Sequence, residues 1–267
     1  MAHTREHLLA GQIAFTEGNY DRAVHEFRKA VQAHPDSSSD WLWLARALGR
    51  KAENSNPVHA AFMVSEVRRA FEKAVALDPK NLEARADLLE FYMEAPTAFG
   101  GGMDKAREQA DAIGRINKGD GLLALSRIAE KDEKYAVAER HLKTAIEIDP
   151  TSGRYLELGG YYHRRKNYPA MEEALRKSTD AKASYALAMA LLEQGQRLPE
   201  AERLVGQFIA AGPPAPGDEP TLAHARLLLG KIQARQGRRQ EAAREFRAAL
   251  QENPNLKDAK KELEKVE

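Results

Sequence analysis

The stretch EAPTAFGGGMDKA sets Gly100, Gly101 and Gly102 directly before a helical run that contains Lys105. Glycine-rich backbone at a helix N-terminus is one way to hold a phosphate. The rest of that chemistry is missing: no strand precedes the glycines, the GxxxxGK[ST] spacing is absent, and Lys105 is the only suitable cation nearby. The stretch reads as a flexible turn between helices. His3 and His7 stand i,i+4 apart, a spacing that lets two imidazoles share a metal. The one neighbouring acid, Glu6, falls on another face. His25, His34, His59, His141, His163 and His224 scatter at unrelated positions, and no HExxH, GxSxG or paired-carboxylate arrangement occurs. No catalytic residue, metal site or cofactor is expected.

The elements that carry these residues announce themselves by repetition. Ala23, Phe27, Ala30 and Pro35 set a rule of small, large at +4, small at +7 and proline at +12. Val67, Phe71, Ala74 and Pro79 obey it, as do Ala138, Leu142, Ala145 and Pro150, then Ala201, Val205, Phe208 and Pro213, then Ala242, Phe246, Ala249 and Pro254. Two degenerate copies, Ala106, Ala110, Ile113 and Met171, Leu175, Ser178, lack the proline. Spacings of 3, 4 and 7 place these residues on one helical face, which must be buried. Small residues allow close approach of two helices and the large one fills the groove between them. Proline stops the helix. Upstream of each copy lies another helical stretch, such as Trp41, Leu44, Ala45, Leu48 or Tyr155, Leu158, Gly159, Tyr162. Gly18, Gly195 and Gly237 sit where the first helix must turn into the second and accept a positive φ. The unit is a helical hairpin, and hairpins bury their remaining apolar faces by stacking on one another.

A hairpin of about 34 residues with this pattern resembles the tetratricopeptide repeat. The resemblance covers nearly the whole chain. It implies an all-α, right-handed α-solenoid of about seven hairpins, a continuous array over 4–256 with units near 4–37, 38–81, 82–118, 119–152, 153–180, 181–220 and 221–256. A solvating cap helix follows at 257–267, carrying Leu256, Ala259, Leu263 and Val266 on one stripe.

In this family the first helices of successive hairpins line a concave groove that holds a peptide or helix of a partner. The resemblance therefore implies a groove containing Leu8, Gln12, Leu42, Trp43, Arg46, Asp87, Glu90, Arg127, Glu130, Leu156, His163, Tyr185, Met189, Lys231 and Arg235. Chaperone-docking members hold a C-terminal carboxylate with lysine, asparagine and arginine; the matching positions here are Leu8, Gln12, Trp43, Glu83 and Asp87. Acids in place of bases repel a carboxylate, so this stretch suits a basic or apolar ligand instead. Trp41 and Tyr162 take buried packing positions, leaving Tyr161 free to face outward.

Three departures from the period stand out. The second unit carries about ten extra residues at GRKAENSNPVHAAFMV, read as a turn at Asn54, Asn56 and Pro57 followed by an N-terminal extension of the second helix. The third carries EAPTAFGGGMDKA at the equivalent point. Together they set a ledge of Phe62, Met63, Phe99, Gly100, Gly101 and Gly102 on one edge, a second surface for a partner. The third departure, AAGPPAPGDEP at Ala210 to Pro220, excludes a helix.

Charge narrows the partner further. With 41 basic and 40 acidic residues in 267, the net charge of +1 gives no global attraction for nucleic acid. There is no cysteine, so no disulfide, and no apolar run long enough to span a membrane. The opening MAHTREHLLAGQ has no apolar signal core, which predicts a cytoplasmic protein; removal of a leader would place it in the periplasm or outside the cell. The function expected is a non-catalytic, monomeric scaffold for a protein or peptide partner. The alternative is a regulatory or substrate-presenting subunit of an enzyme, or weak activity at the ledge through Glu94 or Lys105.

Overall fold

A computed structural model describes residues 2–212 and 219–267, with side chains from residue 6 onward except Pro57. Pro213 and most of the Ala210 to Pro220 connection lie outside the described residues, as does the side chain of His3. The described residues form fifteen α-helices and no strand: α1 Ala2–Thr16, α2 Tyr20–Ala33, α3 Ser38–Glu53, α4 Pro57–Leu77, α5 Leu82–Glu94, α6 Met103–Ile116, α7 Lys118–Lys131, α8 Tyr135–Ile148, α9 Ser152–Arg164, α10 Tyr168–Leu175, α11 Ala181–Gln194, α12 Leu198–Ala210, α13 Leu222–Arg235, α14 Arg239–Glu252 and α15 Lys257–Val266. A short 3₁₀ turn, Thr97–Phe99, lies between α5 and α6. The helices form seven hairpins plus the cap helix α15, the all-α solenoid fold expected from the sequence. Their contacts fall into two compact units, Asn19–Asp149 with the first helix, and Pro150–Glu267.

Within a hairpin the repeated positions do the packing. Ala23, Phe27, Ala30, Ala138, Ala145, Ala201, Val205, Ala242, Phe246 and Ala249 are wholly buried. The close approach is made by a small residue on the first helix. A Cβ built on Gly11 would stand 2.5 Å from the Phe27 ring, and one on Gly230 would stand 2.5 Å from the Phe246 ring. Burying each phenylalanine contributes about 1.5–3 kcal/mol.

The ends of the helices follow equally directly. The second helices stop at His34, Asp78, Asp149 and Asn253, each donating its backbone N–H to the carbonyl of the repeat's second small residue, Ala30, Ala74, Ala145 or Ala249. The next residue is the proline, which has no N–H to continue the ladder. Asn19, Ser37, Asn56, Asn81, Asn117, Thr151, Asn167, Asp180 and Thr221 cap helix N-termini with their side chains. Gly18, Gly195 and Gly237 have φ of 69°, 64° and 82°. Glu133 and Lys166 take φ of 59° and 54° at the corresponding turns of the fourth and fifth hairpins, a role that glycine fills elsewhere.

Three expectations about single residues change: Trp41 is half-buried, its indole N–H donating to Pro35 O at 2.9 Å, and two other residues are buried that were expected to face outward. Tyr161 is buried, at 3% exposure, with its ring centroid 5.4 Å from that of Tyr162. Leu42 is buried at 2% exposure and does not face a groove. Both helices concerned bury a wider arc than one stripe, because a first helix packs on its own partner and on the neighbouring hairpin at once.

The extra residues of the second hairpin extend α4 to 21 residues, with Pro57 at its first turn and Asn56 as its N-cap. α10, in the fifth hairpin, has only 8 residues. Its junction to α11 is tied by Ser152 Oγ and Thr179 Oγ1 at 2.7 Å, and by the Thr179 N–H donating to Ser152 Oγ.

Candidate functional site

In the Asn19–Asp149 unit the first helices α3, α5 and α7 lie side by side and are joined by ion pairs. Arg46 on α3 reaches Asp87 at 2.5 Å and Glu83 at 2.7 Å, both on α5. Arg127 on α7 pairs with Glu90, and Lys131 donates to Glu94 at 2.8 Å. Arg46 also lies 5.0 Å over the Trp43 ring. Trp43 itself stacks on Phe27, with centroids 5.8 Å apart, and meets Phe15 edge-on. It is a half-buried part of the packing with one face toward the ladder.

Electrostatics bind this arrangement. Burial acts to lower the Arg46 pKa, but the hydrogen bond and charge of Asp87, aided by Glu83, outweigh it and the net shift is upward. Asp87 moves upward too, because its burial outweighs the stabilisation by Arg46. The two directions differ in what they say of the pair: it fixes the guanidinium as a cation while the carboxylate bears the desolvation cost.

Beside the ladder lies a cavity of about 240 Å³, lined by Leu82, Glu83, Ala86 and Leu89 of α5, Ile113 of α6, and Asp120, Leu123, Ala124 and Arg127 of α7. Its walls are largely aliphatic and its charged groups stand among them. The residues expected in a groove thus separate. Trp43, Arg46, Asp87, Glu90 and Arg127 come together here, while Leu8, Gln12 and Glu130 are half-buried on α1 and α7 of the same unit. His163, Lys231 and Arg235 belong to the Pro150–Glu267 unit. There His163 Nε2 lies 2.7 Å from Glu193, Lys231 is 4.0 Å from Asp258, and Arg235 is exposed. Tyr185 packs on Phe208 with centroids 5.6 Å apart and its hydroxyl is pushed upward by burial; Leu156 and Met189 are half-buried.

Lys131 and the aliphatic lining did not emerge from reading hairpins singly, and Glu83 and Glu94, each named there for another role, did not emerge as the partners of Arg46 and Lys131. A cross-repeat signal marks them. Glu90 and Arg127 are 37 residues apart, as are Glu94 and Lys131, and Arg46 and Glu83 share that separation. Opposite charges 37 residues apart on successive first helices identify the ladder.

The glycine stretch is a packed turn and not a flexible one. The Gly100 N–H donates to Thr97 O at 2.9 Å and the Gly102 N–H to Tyr92 O at 2.8 Å. A Cβ on Gly101 would stand 1.8 Å from Ala95 O, and one on Gly100 would stand 2.7 Å from the Arg68 side chain. Lys105 Nζ donates to Gly100 O at 2.9 Å. Arg68 in turn holds Glu72, which accepts from the Tyr92 hydroxyl at 3.0 Å; burial and that contact raise the phenol's pKa. Along α4, Phe62 lies about 9 Å from Arg68 by helical rise. It is 78% exposed, beside Val58 at 66% one turn earlier, whereas Met63 and Phe99 are half-buried. His7 Nδ1 lies 2.7 Å from Glu26. Among the described residues no group of three or more potential metal-binding side chains gathers, and no helix is long and apolar enough to cross a membrane.

Comparison with known proteins agrees with the repeat geometry. The chain matches the tetratricopeptide repeat family over residues 4–47 and again over residues 185–256. No curated protein matches it. Among solved structures it is similar to the APC/C hetero-tetramer Cut9–Hcn1 at 15% identity and TM-score 0.53, covering 95% of this chain and 47% of that one. It is similar to a tetratricopeptide repeat protein from Parabacteroides merdae ATCC 43184 at 17% identity and TM-score 0.53, over 100% and 99% of the two chains. Yeast Tom70 is similar at 13% identity and TM-score 0.61, over 92% of this chain and 59% of its own. The chain therefore spans about half the length of the first of these and three-fifths of the last, and at such identities the likeness is one of fold. The family match therefore identifies tetratricopeptide repeats at residues 4–47 and 185–256, and the repeated small–large–small packing and the solved structures give the chain as a whole the fold of such arrays.

Proposed function

We propose that this protein is a non-catalytic scaffold that binds a segment of a partner protein on the first-helix face formed by α3, α5 and α7. The observation that carries this reading is the aliphatic cavity of about 240 Å³ beside a pre-paired ladder of charges. The ladder fixes the side chains before a ligand arrives, which lowers the ordering cost of binding. Small-molecule pockets usually span about 300–1,000 Å³, so a cavity of this size suits one anchoring side chain of a peptide. Glu94 and Lys105, the pair on which a weak activity would rest, are engaged with Lys131 and the Gly100 carbonyl.

Selection from a displayed library of random peptides tests the reading. Peptides recovered on the wild type should lose binding to Ala86→Arg, which fills the cavity, and keep it on Arg69→Ala, an exposed site of α4. Equal binding to both variants would remove this face from consideration.

Val58 and Phe62 support a second contact at the edge of the same unit, since two large apolar side chains one turn apart are exposed there. Phe62→Ser should weaken binding of an intact partner while leaving a face-binding peptide unaffected. Unchanged binding of the intact partner would confine recognition to the first-helix face.

A further inference from the structure

We infer that the cavity between α5 and α7 takes a bulky apolar side chain from a protein segment whose flanking residues are basic. This rests on the reading of the face given above and adds the chemistry of its ligand. The floor supplies the anchor: Leu82, Ala86, Leu89 and Leu123 offer aliphatic surface, and burying an apolar side chain against it is the favourable term in docking. The rim supplies the charge preference. Around the cavity and its ladder stand five carboxylates, Glu83, Asp87, Glu90, Glu94 and Asp120, against three cations, Arg46, Arg127 and Lys131.

The excess of acid lies where a ligand can reach it. Arg46 is shared between Asp87 and Glu83, and its own side chain is only 21% exposed. Glu83, 2.7 Å from Arg46, still keeps 64% of its side chain exposed while lining the cavity. A lysine or arginine beside the anchor meets this carboxylate at the solvent edge, where opposite charge speeds encounter and fixes register. An acidic flank meets like charge, and a nucleic-acid backbone would be repelled in the same way.

The test uses the purified full chain and three labelled synthetic peptides, each with a central phenylalanine flanked by lysines, serines or glutamates, read by fluorescence anisotropy. The lysine peptide should bind about fivefold more tightly than the serine peptide, with the glutamate peptide weakest and the differences shrinking as salt is added. Glu83→Lys, an exposed substitution with wild-type helix content, should abolish the lysine preference, and Ala86→Arg should abolish binding of all three. A serine or glutamate peptide that binds as well as the lysine peptide, yet is lost on Ala86→Arg, overturns the charge preference and leaves the face intact. Binding that survives Ala86→Arg overturns both. Failure of all three peptides to bind overturns the cavity as an anchoring site, while the displayed-library selection still decides whether the face binds peptides of other kinds.

Discussion

Gly159 on α9 and Leu175 on α10 meet so closely that a Cβ on the glycine would stand 2.3 Å from Leu175 Cδ2. Leu175 is itself 3% exposed and has little room to retreat. Gly159→Leu should therefore overpack the crossing and cost about 1–3 kcal/mol, whereas Glu157→Ala, on a half-buried side of the same helix, should cost less than about 0.5 kcal/mol. Urea denaturation followed by helix ellipticity measures both. Equal losses would contradict the register of α9.

Glu133 and Lys166 hold left-handed backbone at exposed hairpin turns. A side chain there costs about 1–2 kcal/mol relative to glycine, partly offset by the greater freedom glycine loses on folding. Glu133→Gly and Lys166→Gly should each stabilise by about 0.5–1 kcal/mol. A lowered melting temperature in either would show that the side chain contributes more than its backbone conformation costs.

Gly101→Ala tests whether the turn before α6 is packed. Its Cβ would collide with the Ala95 carbonyl oxygen, which is backbone and cannot swing aside. A loss of about 1–3 kcal/mol is expected, against almost none for Thr97→Ala at an exposed position. An alanine tolerated at position 101 would restore the picture of a flexible loop.

Acid should weaken the Pro150–Glu267 unit at a particular carboxylate. Hydrogen bonding from Arg197 holds Glu172 down to about 2 from an ordinary 4.5, against a smaller opposing effect of burial and with help from Arg176. A depressed carboxylate stabilises the fold above its unfolded value and loses that contribution as pH falls through the folded one. The full shift corresponds to roughly 3 kcal/mol; solvent around this cluster screens it to about 1 kcal/mol. Glu172→Gln should be less stable than the wild type by that amount at neutral pH, and the gap should close between pH 4.5 and 2. A gap that stays constant across this range would assign the loss to something other than the ion cluster.

The packing was legible because every hairpin restates it: Phe27 and Phe246 occupy equivalent positions and each lies against a first-helix glycine, Gly11 or Gly230. Tyr161 was not, since its burial depends on how much of α9 the neighbouring helices cover, which a single stripe of apolar residues does not encode. Glu133 and Lys166 hid their turns because they take glycine's conformation without glycine's letter. The face was legible in part. Arg46, Asp87, Glu90 and Arg127 could be counted out from the packing positions, but their mutual pairing crosses from one hairpin to the next, at separations of 41 and 37 residues, and does not show within a single hairpin.

The central claim is that a partner segment docks on α3, α5 and α7 at the cavity beside Ala86. Photo-crosslinking tests it most directly, with benzoylphenylalanine placed at Glu83, the exposed rim position of α5, in one sample and at Arg69 of α4 in another, each mixed with a peptide selected on the wild-type chain. Adduct formation at position 83, competed by unlabelled peptide and absent from position 69, is the result the account predicts. Competable adduct at position 69 with none at 83 would contradict it and place recognition on the second helices.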